Sequence, residues 1–139
     1  MASGSDKRSE KLKRLVAVQR HLEKMADSEL AATVRHRAEV AQSIDAVIDA
    51  IGSVNPVHQQ FANHYADRLG RLTTKERQLE GVQQFQENKV LKERTKGDRL
   101  EDNMKEAREL EDREAADNAI YDLIEMTLAA PASSKLQSS

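Results

Sequence analysis

The chain has 139 residues, 33% of them charged, 38% hydrophobic and only 3% aromatic, with no Trp and no Cys. That length suits one domain. Too few large apolar side chains are present to fill a globular core against the entropy of ordering the chain, which leaves long helices with narrow apolar seams. The missing cysteine excludes disulfides, thiolate metal sites and thiol catalysis, and a net charge of −2 argues against a dedicated nucleic-acid binder.

Residues 1–9, MASGSDKRS, read as a flexible lead-in. No run is long and apolar enough for a transmembrane helix, and no secretory signal pattern is present. Residues 6–20 are basic, with Lys7, Arg8, Lys11, Lys13, Arg14 and Arg20 against Asp6 and Glu10. Apolar or small residues then recur at Leu15, Val18, Leu22, Ala26, Leu30, Thr33, Val40, Ile44, Val47 and Ile51, with Arg37 filling the one gap. This is the period of a straight α-helix and predicts helix one over about 6–51.

The segment GSVNP, residues 52–56, breaks that pattern. Gly52 stands where a helix C-cap calls for positive φ. Asn55 followed by Pro56 is a helix start, an Asx cap and then proline at the first helical position. Beyond it Val57, Phe61, Tyr65, Leu69, Leu72, Leu79, Val82 and Val90 form a second stripe. In an antiparallel hairpin, partners have residue numbers of constant sum. That condition is closely met by Ile51 with Val57, Val47 with Phe61, Ile44 with Tyr65, Val40 with Leu69, Leu30 with Leu79, Ala26 with Val82 and Val18 with Leu91. Phe85 falls opposite Leu22.

The fold class expected is all-α, an antiparallel two-helix coiled-coil hairpin over 10–129 with its tip at 52–55 and a flexible tail over 130–139. Helix two, about 56–129, is the longer: roughly 110 Å against about 70 Å at 1.5 Å per residue. Pro131 is expected to end it. Gly97-Asp98, with Glu101 three residues on, offers a stop and a capping box. The polarity of 92–114 and the small cost of one helical glycine, about 1 kcal/mol, favour a continuous helix.

Residues 98–125 hold eleven acids against four bases, so the part of helix two beyond helix one is acidic. Within it Ala116, Ala119, Ile120, Leu123, Ile124 and Leu128 form an apolar stripe with no intramolecular partner, the pattern of an interaction surface. Catalytic motifs are missing: no phosphate-binding glycine loop, no nucleophile elbow, no H-E-x-x-H and no EF-hand loop. His58 and His64 are six apart and fall on different helix faces, and His21 and His36 are fifteen apart, so no metal or cofactor site is expected. No enzyme activity is expected either. Phe61 and Tyr65, four apart near the tip, divide between seam packing and partner contact.

The segment LKERTKGDRLEDNMKEARELEDREAADNAIYD resembles the signature of the FliJ-type flagellar export proteins, and LKRLVAVQRHLEKMADSELA resembles their N-terminal helix. The resemblance covers about residues 10–128. It implies an antiparallel coiled coil similar to the central stalk of rotary ATPases. Such proteins work on the cytoplasmic side of the inner membrane, at the flagellar base, in type III export. The partners implied are the hexameric export ATPase, the membrane export gate and other export chaperones, with the chain itself a monomer. Carried onto this sequence, the start of helix one with Leu100, Met104, Ile120, Leu123 and Ile124 lies towards the ATPase, and Phe61 and Tyr65 face the gate. The chain departs from the family in its shorter first helix and in Gly97 within the signature. Alternatives are a self-associating structural coiled coil, which would not be a monomer, and a secretion chaperone, which would bind substrates and ignore the ATPase.

Overall fold

The computed structural model describes residues 7–138, with side chains described for 7–129. The expected lead-in up to residue 6, and the side chains of the expected tail, lie outside the described residues. Among the described residues the chain is all-helical: α1 is Arg8–Ile51 (44 residues), α2 is Pro56–Gln60 (5 residues) and α3 is Ala62–Ser138 (77 residues). The two long helices, α1 and α3, pack against each other. No helix among the described residues is long and apolar enough to cross a membrane.

α1 contains neither glycine nor proline and is built largely of good helix formers. It ends at GSVNP, but not as the glycine suggested. Among the described residues no glycine has positive φ. Gly52 keeps its N–H on the Ile48 carbonyl at 3.0 Å, and Ser53 donates to Ala50 at 3.2 Å. The expected left-handed cap is therefore replaced by a last turn tightened to i→i−3 bonding.

The restart follows the sequence. Asn55 is extended (φ −67°, ψ 129°), its side chain accepts the Val57 N–H at 3.0 Å, and Pro56 takes the first helical position. The helix expected to run from residue 56 is divided at Phe61 (φ −103°, ψ 14°), whose N–H turns back to the His58 carbonyl. Beyond that joint α3 passes unbroken through Gly97. It also continues through Pro131 to Ser138, past the expected end at 129. Proline's fixed φ is helical, and inside a helix it costs one backbone bond and a clash of its ring with the carbonyl four residues back.

Two compact units divide the chain, Gln19–Gly97 and the pair of segments Met1–Val18 and Asp98–Ser139. In Gln19–Gly97 the buried positions of α1 are Gln19, Ala26, Thr33, Val40 and Val47, seven residues apart, and Glu23, Leu30, Arg37 and Ile44 between them are half-buried. On α3 the matching line is Tyr65, Leu69, Leu72, Glu76, Leu79, Gln83, Gln86, Val90, Glu93 and Gly97. Steps alternate between three and four, the 3.5-residue period of helices that stay in contact. Cross-contacts join Gln19 to the Glu93 carbonyl (3.0 Å), Glu23 to Arg94 (3.1 Å), Glu29 to Lys89 (3.5 Å) and Arg37 to Gln83 (2.9 Å).

The expected seam is thereby corrected at both of its ends. Leu22 is 43% exposed, Val82 44%, Leu91 57% and Phe85 70%, and in the other unit Leu15 and Val18 are also exposed. The pairings of Val18 with Leu91, Ala26 with Val82 and Leu22 with Phe85 therefore fail, and so do those of Ile51 with Val57 and Val47 with Phe61 at the tip, where Ile51, Val57 and Phe61 are exposed. An apolar stripe of period 3.6 rotates by about 20° per heptad against a seam of period 3.5. Near the start of α1 it has turned off the inner line, and Gln19 and Glu23 stand there instead.

In the unit formed by Met1–Val18 and Asp98–Ser139, Ser9 and Ala107 are buried, and Leu12, Val16, Leu100, Met104 and Glu111 are half-buried. Every side chain from residue 112 to 129 is exposed.

Candidate interaction surfaces

Near GSVNP the aromatic rings gather on Tyr65. Its centroid lies 5.8 Å from His58, 6.4 Å from Phe61 and 6.2 Å from His64. The Tyr65 hydroxyl shares a 2.9 Å hydrogen bond with His58 Nδ1, which ties α2 to the first turn of α3 across the Phe61 joint. Tyr65 is half-buried, lining a depression with Ser43, Ala46, Val47, Ala50, His64 and Arg68. Phe61 is 50% exposed. The two residues assigned to one contact thus differ: Tyr65 packs inward, and Phe61 presents half of its ring to solvent.

Leu100 and Met104 are half-buried on the inner line of α3. Ile120, Leu123 and Ile124 are 55%, 62% and 48% exposed, and Tyr121, Met126 and Leu128 stand out further. The acids among residues 114–128 are Glu114, Asp117, Asp122 and Glu125, and no Lys, Arg or His interrupts them. This segment is an acidic helix with an uncovered apolar row. Leu100 and Met104 are thus packed in part, while Ile120, Leu123 and Ile124 are open.

The carboxylates of the inner lines are held charged. Glu111 accepts the Ser9 N–H at 3.0 Å and the Ser9 hydroxyl, so a residue of α3 caps the first turn of α1. The Ser9 hydroxyl, then its N–H, lowers the Glu111 pKa against the opposing effect of burial. Glu93 is lowered chiefly by the Gln19 amide, Glu76 by the Arg37 guanidinium and Glu23 by Arg20 and Arg94. The sequence places Arg37 on the seam, and the structure gives it Glu76 as partner. Opposite charges near a shared seam were visible, but the register that joins them was not.

Gly97 has a packing reason. A Cβ there would sit 2.6 Å from Arg20 Nη1 and 3.0 Å from its Cζ. The glycine leaves room for the guanidinium to lie on the α3 backbone while Nη1 bonds Glu23 at 2.9 Å. No cluster of three or more His, Asp or Glu able to hold a metal occurs among the described residues. No protein-family model, no curated protein and no solved structure matches the chain.

Proposed function

We propose that this chain is a non-enzymatic stalk or adaptor of the flagellar type III export apparatus, binding the export ATPase ring and linking it to the membrane export gate. The fold in this reading is an antiparallel hairpin. The contacts of Gln19–Gly97 support it: as the α1 partner climbs from Gln19 to Arg37, the α3 partner descends from Glu93 to Gln83 and Glu76. The resemblance of Leu91–Asp122 to the FliJ-type signature supplies the system.

The observation that carries the interaction role is the exposed apolar row at Ile120, Leu123, Ile124 and Leu128. Row and acids together suit capture by a larger assembly. A helical adaptor with no catalytic groups acts on ATP turnover by favouring one ring conformation over another, through differential binding. Phe61 is the candidate contact for the gate.

Hydrolysis of ATP by the purified flagellar export ATPase, under conditions where it forms hexamers, tests this against increasing concentrations of the chain. Saturable stimulation is expected, and its loss in Leu123→Ser/Ile124→Ser with helicity unchanged. No stimulation by the native chain overturns the reading. The same uncovered row favours a second reading, a self-associating coiled coil. Sedimentation separates the two, because a stalk stays monomeric at working concentration.

A further inference from the structure

We propose that one flank of Gln19–Gly97, carrying Leu22 and Met25 on α1 and Phe85, Lys89, Lys92 and Lys96 on α3, is a docking surface for an acidic amphipathic helix of a partner protein. The Lys89–Glu29 pair, at 3.5 Å, fixes these two positions on the same side of the packed helices. Leu22 and Met25 precede Glu29 by seven and four residues; Phe85 precedes Lys89 by four, and Lys92 and Lys96 follow it by three and seven. Residues so spaced share a helix face. Two rows therefore run side by side, an apolar one on α1 and a basic one on α3 with Phe85 at its head.

These side chains are open. Leu22 is 43% exposed, Met25 50% and Phe85 70%, and Phe85, Asn88, Lys89 and Lys92 line a shallow depression. Glu29 is engaged by Lys89 and Glu93 by Lys96, each at 3.5 Å, and among the described residues Lys92 makes no ion pair. A partner helix with an apolar row and an acidic row beside it would place the first on Leu22, Met25 and Phe85 and the second on the lysines. A bilayer fits less well, since membrane-surface helices set apolar residues outermost with lysines at the rim, whereas here each row has its own helix. This surface is distinct from the row at 120–128 and does not depend on the export reading.

Two labelled helical peptides with the same leucine row, one flanked by Glu and one by Lys, are titrated into the full chain by fluorescence anisotropy. The Glu peptide is expected to bind, more weakly at high salt. The Lys peptide, and the Glu peptide against Lys92→Glu or Phe85→Ser, should bind at least about tenfold more weakly. Both replaced side chains are exposed, and circular dichroism checks that helicity is retained. Equal binding of the two peptides, or unchanged binding by the variants, overturns the proposal. Binding of phosphatidylserine vesicles with no peptide binding overturns it in favour of a membrane. Self-association of the chain alone that Phe85→Ser abolishes overturns it in favour of a second copy.

Discussion

Glu111 and Gly97 illustrate how single residues serve two helices here. Glu111 closes the first turn of α1 from α3, a cap supplied from outside the helix it caps. Ser9→Ala keeps the capped N–H and loses only the hydroxyl's hydrogen bond to Glu111, so it should cost about 1 kcal/mol, the usual net value of one hydrogen bond, read as a lower urea midpoint with unchanged slope. Gly97 sets helix propensity against room for Arg20. At Gly70 and Gly81 a Cβ would meet nothing within 4 Å, so alanine at either should stabilise by about 0.5–1 kcal/mol. Gly97→Ala should gain measurably less than either, because Arg20 must move off Glu23. An equal gain at all three sites would show that Arg20 shifts at no cost. Gln86 is the converse case, a buried side-chain oxygen with no hydrogen-bond partner. Gln86→Leu should raise stability by about 1 kcal/mol, since it removes an unsatisfied acceptor from a packed position.

At the scale of elements, the stability of α1 and α3 comes from the inner lines. Among the described side chains no large one is fully buried, and the most buried apolar residues are small: Ala26, Val40, Val47, Val90 and Ala107. Val47, 6% exposed, is the sharpest probe of the line. Val47→Asp places an unpaired charge there and should cost about 3 kcal/mol or more, with a large fall in melting temperature. A native melting curve would show that Val47 is not on the seam. The turn is more tolerant: Pro56→Ala should change stability by well under about 1 kcal/mol, because Asn55 still caps. Both helix ends at 51 and 56 were legible, since proline and an Asx cap act locally. The joint at Phe61 was not. No glycine or proline marks it, and the His58–Tyr65 hydrogen bond that spans it is not announced by any local signal.

For the molecule as a whole, four glutamates on the inner lines, Glu23, Glu76, Glu93 and Glu111, titrate below the usual 4.5. A carboxylate whose folded pKa is depressed contributes stability that is complete above its unfolded value and lost as pH falls through the folded one. Thermal stability should therefore be level from neutral pH down to about 5 and fall on further acidification. Glu76→Gln should lower the neutral plateau and flatten the acid slope. An acid slope identical to the native one would show that the Arg37–Glu76 pair contributes nothing to it.

The sequence by itself determined that the chain is helical, where its first long helix ends, that Asn55 and Pro56 restart it, and that an acidic apolar row lies near residues 116–130. Each of these rests on short-range chemistry: capping, proline's fixed φ and helical periodicity. The inner face was legible too over Ala26 to Val47 and at Tyr65, Leu69, Leu72, Leu79 and Val90; tertiary structure alone decided where the contact seam leaves that stripe. A straight-helix stripe and a contact seam differ by only a tenth of a residue per turn, yet over forty residues that difference rotates Leu15, Val18 and Leu22 outward. Gln19 and Glu23 then stand on the inner line, where Gln19 bonds Glu93 and Glu23 bonds Arg94. That exchange created both the polar inner contacts and the exposed flank of Leu22, Met25 and Phe85, because packing follows the partner helix and not the hydropathy of one strand of sequence.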